Sequence, residues 1–298
     1  MNKSVVCFGE VLWDFLPTGQ QPGGAPFNVA VHLHQLGQPV QLISRVGDDE
    51  LGRELLTFIT SKGLSTDYVQ QGKTHLTGVV KANVDDANEV VYKIAQPVAW
   101  DYIQYEPAVA ELVAQAEVFV FGSLAARQAN TREALYRLLV DARCRVFDVN
   151  LRPPHYTPEV TKYLLTKADI VKMNHHELEE IMDWVGQAPV LDRAEAMRWL
   201  AERYDLQAVC VTCGAEGAML WTGEQLYQAP GLKVEVRDTI GSGDAFLAAF
   251  LHGWLAGHEP EAMLRFACAA GALVATHQGA TPTFTADEVA ALLIPQAV

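Results

Sequence analysis

The chain has 298 residues, half of them hydrophobic and 19% charged, with a formal net charge of −14. That length can bury a substantial core, in one large domain or two small ones, and the lack of any low-complexity run argues against disorder. The acidic excess argues against nucleic acid or an anionic membrane as a partner, and it requires any phosphate ligand to be held by local donors. No apolar run approaches the roughly 18 residues of a membrane span. Glu10 and Asp14 come too early for a signal peptide, so the expected compartment is the cytoplasm. The cysteines Cys7, Cys144, Cys210, Cys213 and Cys268 are odd in number and scattered, so no disulfide framework is implied.

Residues 4–9 read as a short buried strand. Gly9-Glu10-Val11-Leu12-Trp13-Asp14 leaves it into a loop rich in Gly, Gln and Pro that ends at Gly23-Gly24-Ala25-Pro26. Pro26 suits the first turn of a helix. Val29, Val31, Leu33 and Leu36 then give a partly amphipathic helix stopped at Gly37. Residues 40–46 form the next strand, followed by a helix to about Ser61. Short links between alternating strands and helices are the pattern of a parallel sheet covered on both faces.

Residues 77–94 break that pattern. The stretches 78–84 and 90–94 both read as strands, joined through Asp85-Asp86-Ala87-Asn88 with no helix between. This is a hairpin inserted into an α/β chain, either an ordinary antiparallel edge or a small sheet off the main body. Alternation then resumes, with strands at 118–121, 146–149, 170–173 and 208–212 and helices at 131–142, 158–167, 177–184 and 193–204. A hairpin follows at 217–228, and residues 233–236 alternate as a further strand does. The helix 245–256 is apolar on every face through Leu251, which suits burial on all sides. A last helix spans 260–276. Nothing reads as a domain linker or an internal repeat. The expected fold is one α/β domain, a doubly wound and mainly parallel sheet with helices on both faces.

Between residues 233–236 and the buried helix lies Asp238-Thr239-Ile240-Gly241-Ser242-Gly243-Asp244. The first turn of a helix has unpaired N–H groups and positive partial charge. Gly241 and Gly243 leave those donors free of side-chain cover, so an anion can sit on them. Asp244 cannot be the ligand of that anion. It suits a base that takes a proton from a hydroxyl beside it, the pairing that phosphoryl transfer to an alcohol needs. A bare G-x-G-D is equally the pattern of a glycine turn followed by an Asp that the helix dipole favours. No G-x-x-x-x-G-K-[ST] occurs, so a P-loop is excluded.

Other polar residues fall at strand ends, where ligands of doubly wound sheets sit. Asp14 follows the first strand, and a carboxylate accepts two sugar hydroxyls at once. Gly23 and Gly24 let backbone approach a polyol, and Asn28 both donates and accepts. Asp148, Asn150 and Arg152 alternate, and extended chain would put all three on one side. Asn174 and Glu177, three apart at a helix start, form a capping box on paper.

The seven-residue stretch resembles the C-terminal signature of the PfkB, or ribokinase-like, family of sugar and nucleoside kinases, commonly D-T-x-G-A-G-D. Ser242 stands where alanine is usual, and both glycines and both aspartates are kept. The resemblance spans Gly9 to about Pro282. It implies Asp244 as catalytic base, Gly241, Ser242 and Gly243 as the anion hole, ATP as donor and magnesium as cofactor. Family members often bind potassium near the anion hole, and Asp238 with the loop after His277 is the matching place. The family also carries a β lid, here about residues 10–25 and 77–98, which covers the sugar and often forms the contact of a homodimer.

Glu10 to Asp14 followed by Gly23-Gly24-Ala25-Pro26-Phe27-Asn28-Val29-Ala30 resembles the sugar site of PfkB fructokinases, with Phe27 in place of a residue that is usually small. The D-x-N-x-R from Asp148 to Arg152 resembles a segment of fructokinases and 2-keto-3-deoxygluconate kinases whose arginine reaches the substrate or the transferring phosphate. Asn174 and Glu177 match an N-x-x-E element that positions magnesium, through water, and the phosphates. Thr212 and Gly214 match the nucleotide phosphate contact, and the segment from Gly271 to Pro282 matches the adenine pocket. The implied activity is transfer of the γ-phosphoryl group of ATP to the 6-hydroxyl of fructose.

The alternatives are a 2-keto-3-deoxygluconate kinase, another PfkB sugar or nucleoside kinase, and a non-catalytic sugar-binding protein on the same fold, against which Asp244 argues. A keto acid would need a cation reserved for its carboxylate. The hairpin offers Lys81 and Lys93, the latter beside Tyr92, and the phosphate has a claim on Arg152. Counting cations favours a neutral sugar.

Overall fold

The computed structural model describes residues 4–16, 19–84, 90–187 and 192–294, with backbone alone for 82–84 and 90–92. The Asp85–Asn88 link expected within the hairpin lies outside the described residues. In chain order the elements are β1 (Val5–Phe8), β2 (Leu12–Leu16), β3 (Gly19–Gly23), α1 (Ala25–Gln35), β4 (Val40–Gly47), α2 (Glu50–Ser61), β5 (Val69–Gly72), β6 (Gly78–Val84) and β7 (Val90–Ile94). Then follow α3 (Pro107–Gln115), β8 (Val118–Gly122), α4 (Ala129–Asp141), β9 (Arg145–Asp148), α5 (Pro158–Leu165), β10 (Ile170–Asn174), α6 (His175–Trp184), α7 (Arg193–Tyr204) and β11 (Ala208–Thr212). The chain closes with β12 (Gly217–Thr222), β13 (Gln225–Pro230), α8 (Ser242–Ala256), α9 (Pro260–Ala275) and α10 (Ala286–Ala291).

Nine strands form the main sheet in the order β13-β12-β11-β10-β9-β8-β1-β4-β5. All neighbours are parallel except β11 with β12 and β12 with β13. The inner strands are apolar runs, as burial on both faces requires. In β1, Val5 and Cys7 point into a core with α1, α8 and α9, while Val6 and Phe8 point into a second core with Phe119, Phe121 and Phe147 on the other face. Helices therefore cover both faces, as the sequence predicted. From β1 the chain moves to β4 on one side and later returns to β8 on the other. That reversal opens a crevice beyond the carboxyl ends of β1 and β8, the place where doubly wound sheets bind ligands.

A separate four-stranded sheet has the order β3-β2-β6-β7. The hairpin β6–β7 is antiparallel, with the boundaries expected, and it pairs through β6 with β2. Composition reads the stretch after Asp14 as a loop, whereas the family resemblance puts about residues 10–25 with 77–98 in one small β unit; the stretch forms the antiparallel pair β2–β3. Its Gly, Gln and Pro content hid a strand that gains its partners from a remote hairpin.

Two other expectations fail. Residues 233–236 are not a strand, because β13 ends at Pro230 and the chain leaves the sheet; the Arg237 N–H bonds to the Ala275 carbonyl at the end of α9 instead. Asn150 has φ 37°, so β9 stops at Asp148 and the chain turns before Arg152 rather than carrying Asp148, Asn150 and Arg152 along one extended side. The sequence reading also passed over β5, α3 and α10.

Candidate active site

The glycine stretch forms an open helix start. Gly241 is the N-cap of α8 with φ 81°, a left-handed conformation that glycine adopts at little cost, and among the described residues no side chain caps the helix. A β-carbon there would collide with the Ala280 carbonyl oxygen and stand 2.7 Å from its α-carbon. The 279–282 segment is pinned against this turn from several sides. The Gly279 N–H donates to Asp238 Oδ2 (3.0 Å), Lys62 Nζ to the Thr281 carbonyl (2.8 Å) and Gln35 Nε2 to the Pro282 carbonyl (3.2 Å). The ring of His32 lies 3.0 Å from the Ala280 carbonyl, an acceptor, so Nε2 carries the proton. Burial lowers the pKa of His32 to about 4, and the ring stays neutral. At the start of α8, Ser242 Oγ is buried with no partner among the described residues.

Asp244 sits in the first turn of α8 and is buried. Its Oδ2 accepts from Asn28 Nδ2 at 2.8 Å, a contact between residues 216 positions apart. Burial, and then the charge of Asp148, push its pKa up to about 6, against the opposing pulls of Lys172, Asn28 and Arg152. A carboxyl so tuned is ionised at neutral pH yet far more basic than an exposed Asp, which suits proton abstraction.

On the N-terminal side, Glu10 is buried and accepts from the Ala25 N–H through Oε1 (3.1 Å), while Oε2 has no partner among the described residues. Burial raises its pKa to about 7. Asp14 lies on β2 opposite Gln21, and burial raises its pKa to about 6. A β-carbon on Gly23 would collide with the Asp14 carboxylate, and one on Gly24, at φ 115°, with the Glu10 carbonyl. Both glycines therefore hold the two acidic residues and the start of α1 close together. Arg152 is exposed, donates to the Leu151 carbonyl (3.1 Å) and lowers the pKa values of Glu10, Asp14 and Asp244, so its charge faces the same cleft. Phe27 turns away from it, fully buried and edge-on to Phe58 at 6.1 Å.

Of the remaining predicted residues, Asn174, Glu177, Thr212 and Gly214 lie along the ends of β10 and β11, and Gly271 and Asp238 lie around the glycine turn. Asn174 and Glu177 form the capping box of α6, with the Glu177 N–H bonded to Asn174 Oδ1 (2.9 Å) and the Asn174 N–H to Glu177 Oε2 (2.8 Å). Glu177 Oε1 also accepts the Leu151 N–H (2.8 Å), tying α6 to the turn after β9. Thr212 lies opposite Asn174 in the register of β11 with β10, and Gly214, at φ 57°, has open space beside it. Gly271 on α9 lies against α8, where a β-carbon would stand 3.0 Å from the Ser242 carbonyl; this is helix packing at the base of the glycine turn. Asp238 is a clamp, with Oδ1 taking the Ile240 N–H (3.0 Å) and Oδ2 that of Gly279.

One residue escaped the sequence reading. Lys172 on β10 is buried, and its ammonium bonds Asp148 Oδ1 at 3.0 Å. A β-carbon on Gly243 would stand 3.2 Å from its Nζ, so the charge lies against the first turn of α8. The available signal was a single lysine inside the apolar run Ile170-Val171-Lys172-Met173.

A buried carboxyl poised near pH 6 beside an open helix start, at the switch point of a doubly wound sheet, defines a phosphotransferase with a hydroxyl acceptor. Comparison with known proteins agrees. Residues 3–287 match the pfkB family of carbohydrate kinases, and the chain belongs to that family, whose members transfer a phosphoryl group to a sugar hydroxyl. It is 30% identical to Fructokinase-1 of Oryza sativa subsp. japonica, covering 96% of each chain. Among solved structures, a fructokinase with bound ATP from Xylella fastidiosa superposes with a TM-score of 0.87 at 26% identity, covering 98% of each chain. An aminoimidazole riboside kinase from Salmonella enterica, complexed with its riboside and an ATP analog, gives 0.79 at 25%, covering 98% of this chain and 100% of that one.

Proposed function

We propose that the protein is a cytoplasmic fructokinase that moves the γ-phosphoryl group of ATP to the 6-hydroxyl of fructose. The observation that carries this reading is the 2.8 Å bond from Asn28 to Asp244. It joins the residues that would hold the sugar to the base that would deprotonate it. Asp14, Gly23, Gly24 and Asn28 bind the sugar hydroxyls, with Arg152 over the cleft. Asp244 takes the hydroxyl proton as the oxygen attacks, and the N–H groups of Gly241 and Gly243, joined by that of Ser242 as it leaves the Thr239 carbonyl (3.2 Å), receive the charge that develops on the phosphoryl group. Thr212, Gly214 and Asn174 border the nucleotide phosphates, with Gly271 at the base of the adenine side.

Magnesium supplies charge neutralisation on the phosphates and keeps most of its own water, so it needs few protein oxygens. Glu177 fits that demand. Each of its oxygens has accepted one backbone N–H and retains a lone pair for a metal-bound water. Asp238 in the same way keeps one lone pair per oxygen for a potassium ion. The four-stranded sheet serves as a lid over the sugar, and two copies of the chain pair through it. A keto acid is disfavoured because its carboxylate would compete with Glu10, Asp14 and Asp244 for Arg152.

The test is a coupled assay of ATP turnover over fructose, ribose, 2-keto-3-deoxygluconate and adenosine. Fructose gives the highest kcat/KM under this reading. A preference for the keto acid overturns it, and no turnover with any acceptor would indicate a binding protein on the same fold.

A further inference from the structure

Lys172 is unusual in its surroundings. Its ammonium has three N–H groups, and among the described residues one hydrogen bond is made, to Asp148. Buried donors without partners are costly, and a buried ion pair adds little stability over an apolar pair of the same shape. The ammonium also lies beside the first turn of α8, where a β-carbon on Gly243 would be 3.2 Å away. That turn is the positive end of a 15-residue helix, so cation and dipole repel each other unless an anion lies between them. Asp244, already bonded to Asn28, and Glu177 both face the ammonium and offset part of this, beside the Asp148 that it bonds. A structural ion pair would not call for this placement. A transient anion at the helix start would.

We propose that Lys172 is a further catalytic residue of the transfer. Asp148 holds its ammonium beside Gly243, where it donates to the phosphoryl group as that group crosses the anion hole. The proposal rests on the kinase reading above. In the step, the sugar oxygen forms a bond to the γ-phosphorus and the bond from that phosphorus to the β,γ-bridging oxygen breaks, its electron pair leaving with ADP. The sugar proton passes to Asp244. Lys172 exchanges no proton; it balances charge on the phosphoryl oxygens throughout. The groups facing Asp244 are Asp148, Lys172, Asn28, Arg152 and Glu10. Lys172 is the buried cation among them, and it helps keep the base ionised.

The test compares Lys172→Met, Lys172→Arg and the pair Lys172→Met with Asp148→Asn, in which no buried charge is orphaned. Lys172→Met should lower kcat by roughly 10²-fold, the usual worth of one buried donor to a developing charge. The KM for ATP should stay within a few fold, and the acid limb of the kcat/KM profile should move to higher pH. Lys172→Arg should recover at least part of kcat, and the paired variant should stay slow. A folded Lys172→Met or paired variant within threefold of the wild-type kcat, or an acid limb unmoved in Lys172→Met, overturns the proposal.

A measurement on the wild-type chain does not depend on the variants folding. In carbon-13-lysine-labelled protein, one buried Cε resonance should shift when ADP, aluminium fluoride and sugar are added together but not with ADP alone. No such shift counts against Lys172. If the wild type prefers another sugar, the fructose assignment fails on its own and the same tests run with the sugar that turns over.

Discussion

Replacing Gly241 by alanine tests how the anion hole is built. Its φ of 81° costs an alanine about 1–2 kcal/mol before any contact is considered. The new methyl group would also meet the Ala280 carbonyl, so the 279–282 segment must retreat from bonds to Asp238, His32, Lys62 and Gln35. Losing one or two of these adds about 1–2 kcal/mol, for a total of about 3 kcal/mol. In a chain of this length that lowers Tm by about 5 °C. Because the same retreat displaces the first turn of α8, kcat should fall at least about tenfold, the worth of about 1.4 kcal/mol in the barrier. Gly243→Ala is the control. Gly243 has no positive φ, and among the described residues its β-carbon meets the Lys172 ammonium alone, so Tm should fall much less while kcat still drops. Thermal denaturation and a coupled kinase assay on both variants decide it. A Gly241→Ala protein with wild-type Tm and kcat, or a Gly243→Ala protein that is the less stable of the two, would refute the reasoning.

Burial raises the pKa of Glu10 from 4.5 to about 7, so the folded state holds this proton more tightly than the unfolded chain. The associated stability is complete below the unfolded value and is lost as pH rises through the folded one. At pH 8 the ionised carboxylate should cost up to about 3 kcal/mol. Glu10→Gln keeps an acceptor for the Ala25 N–H, so its Tm should exceed wild type at pH 8 and converge with it near pH 5; a gap independent of pH would contradict this. Asp14→Ala should raise the KM for the sugar by about 10- to 100-fold, the worth of a charged hydrogen bond, and leave the KM for ATP within a few fold. A defect confined to ATP would place Asp14 on the wrong half of the site. Amide exchange across β6 and β7 should slow when sugar is added, as expected of a lid that closes and excludes water. Equal rates with and without sugar would make the small sheet a fixed edge.

Much of this was legible in the sequence because the physics is local. The glycine turn and the fully apolar helix behind it announce an open helix start, and the structure has one. Asn174 and Glu177 read as a capping box, and they form one. What sequence missed depends on remote partners. The strands β2 and β3 have poor strand composition, so their residues alone read as a loop and only the family resemblance puts them with the hairpin; they exist because β6 pairs with β2. Asn150 adopts a left-handed turn that an alternating pattern cannot reveal. The closeness of Asn28 to Asp244 follows from the packing of α1 against α8, and that of Lys172 to Gly243 from a long side chain reaching from β10 to the first turn of α8. Neither pair has any local mark.

The central claim is that Asp244 is the base of a phosphoryl transfer, and Asp244→Asn tests it most directly. Asparagine keeps an oxygen for the Asn28 amide and leaves the helix start open, so the protein should fold and bind ATP. Its kcat should fall by roughly 10²–10⁴-fold, the usual range for loss of a positioned general base. The acid limb that wild type should show near pH 6, where the buried carboxyl protonates, should vanish from the residual activity. A folded Asp244→Asn enzyme with near-wild-type kcat, or with the same limb near pH 6, would remove this carboxylate from the chemistry.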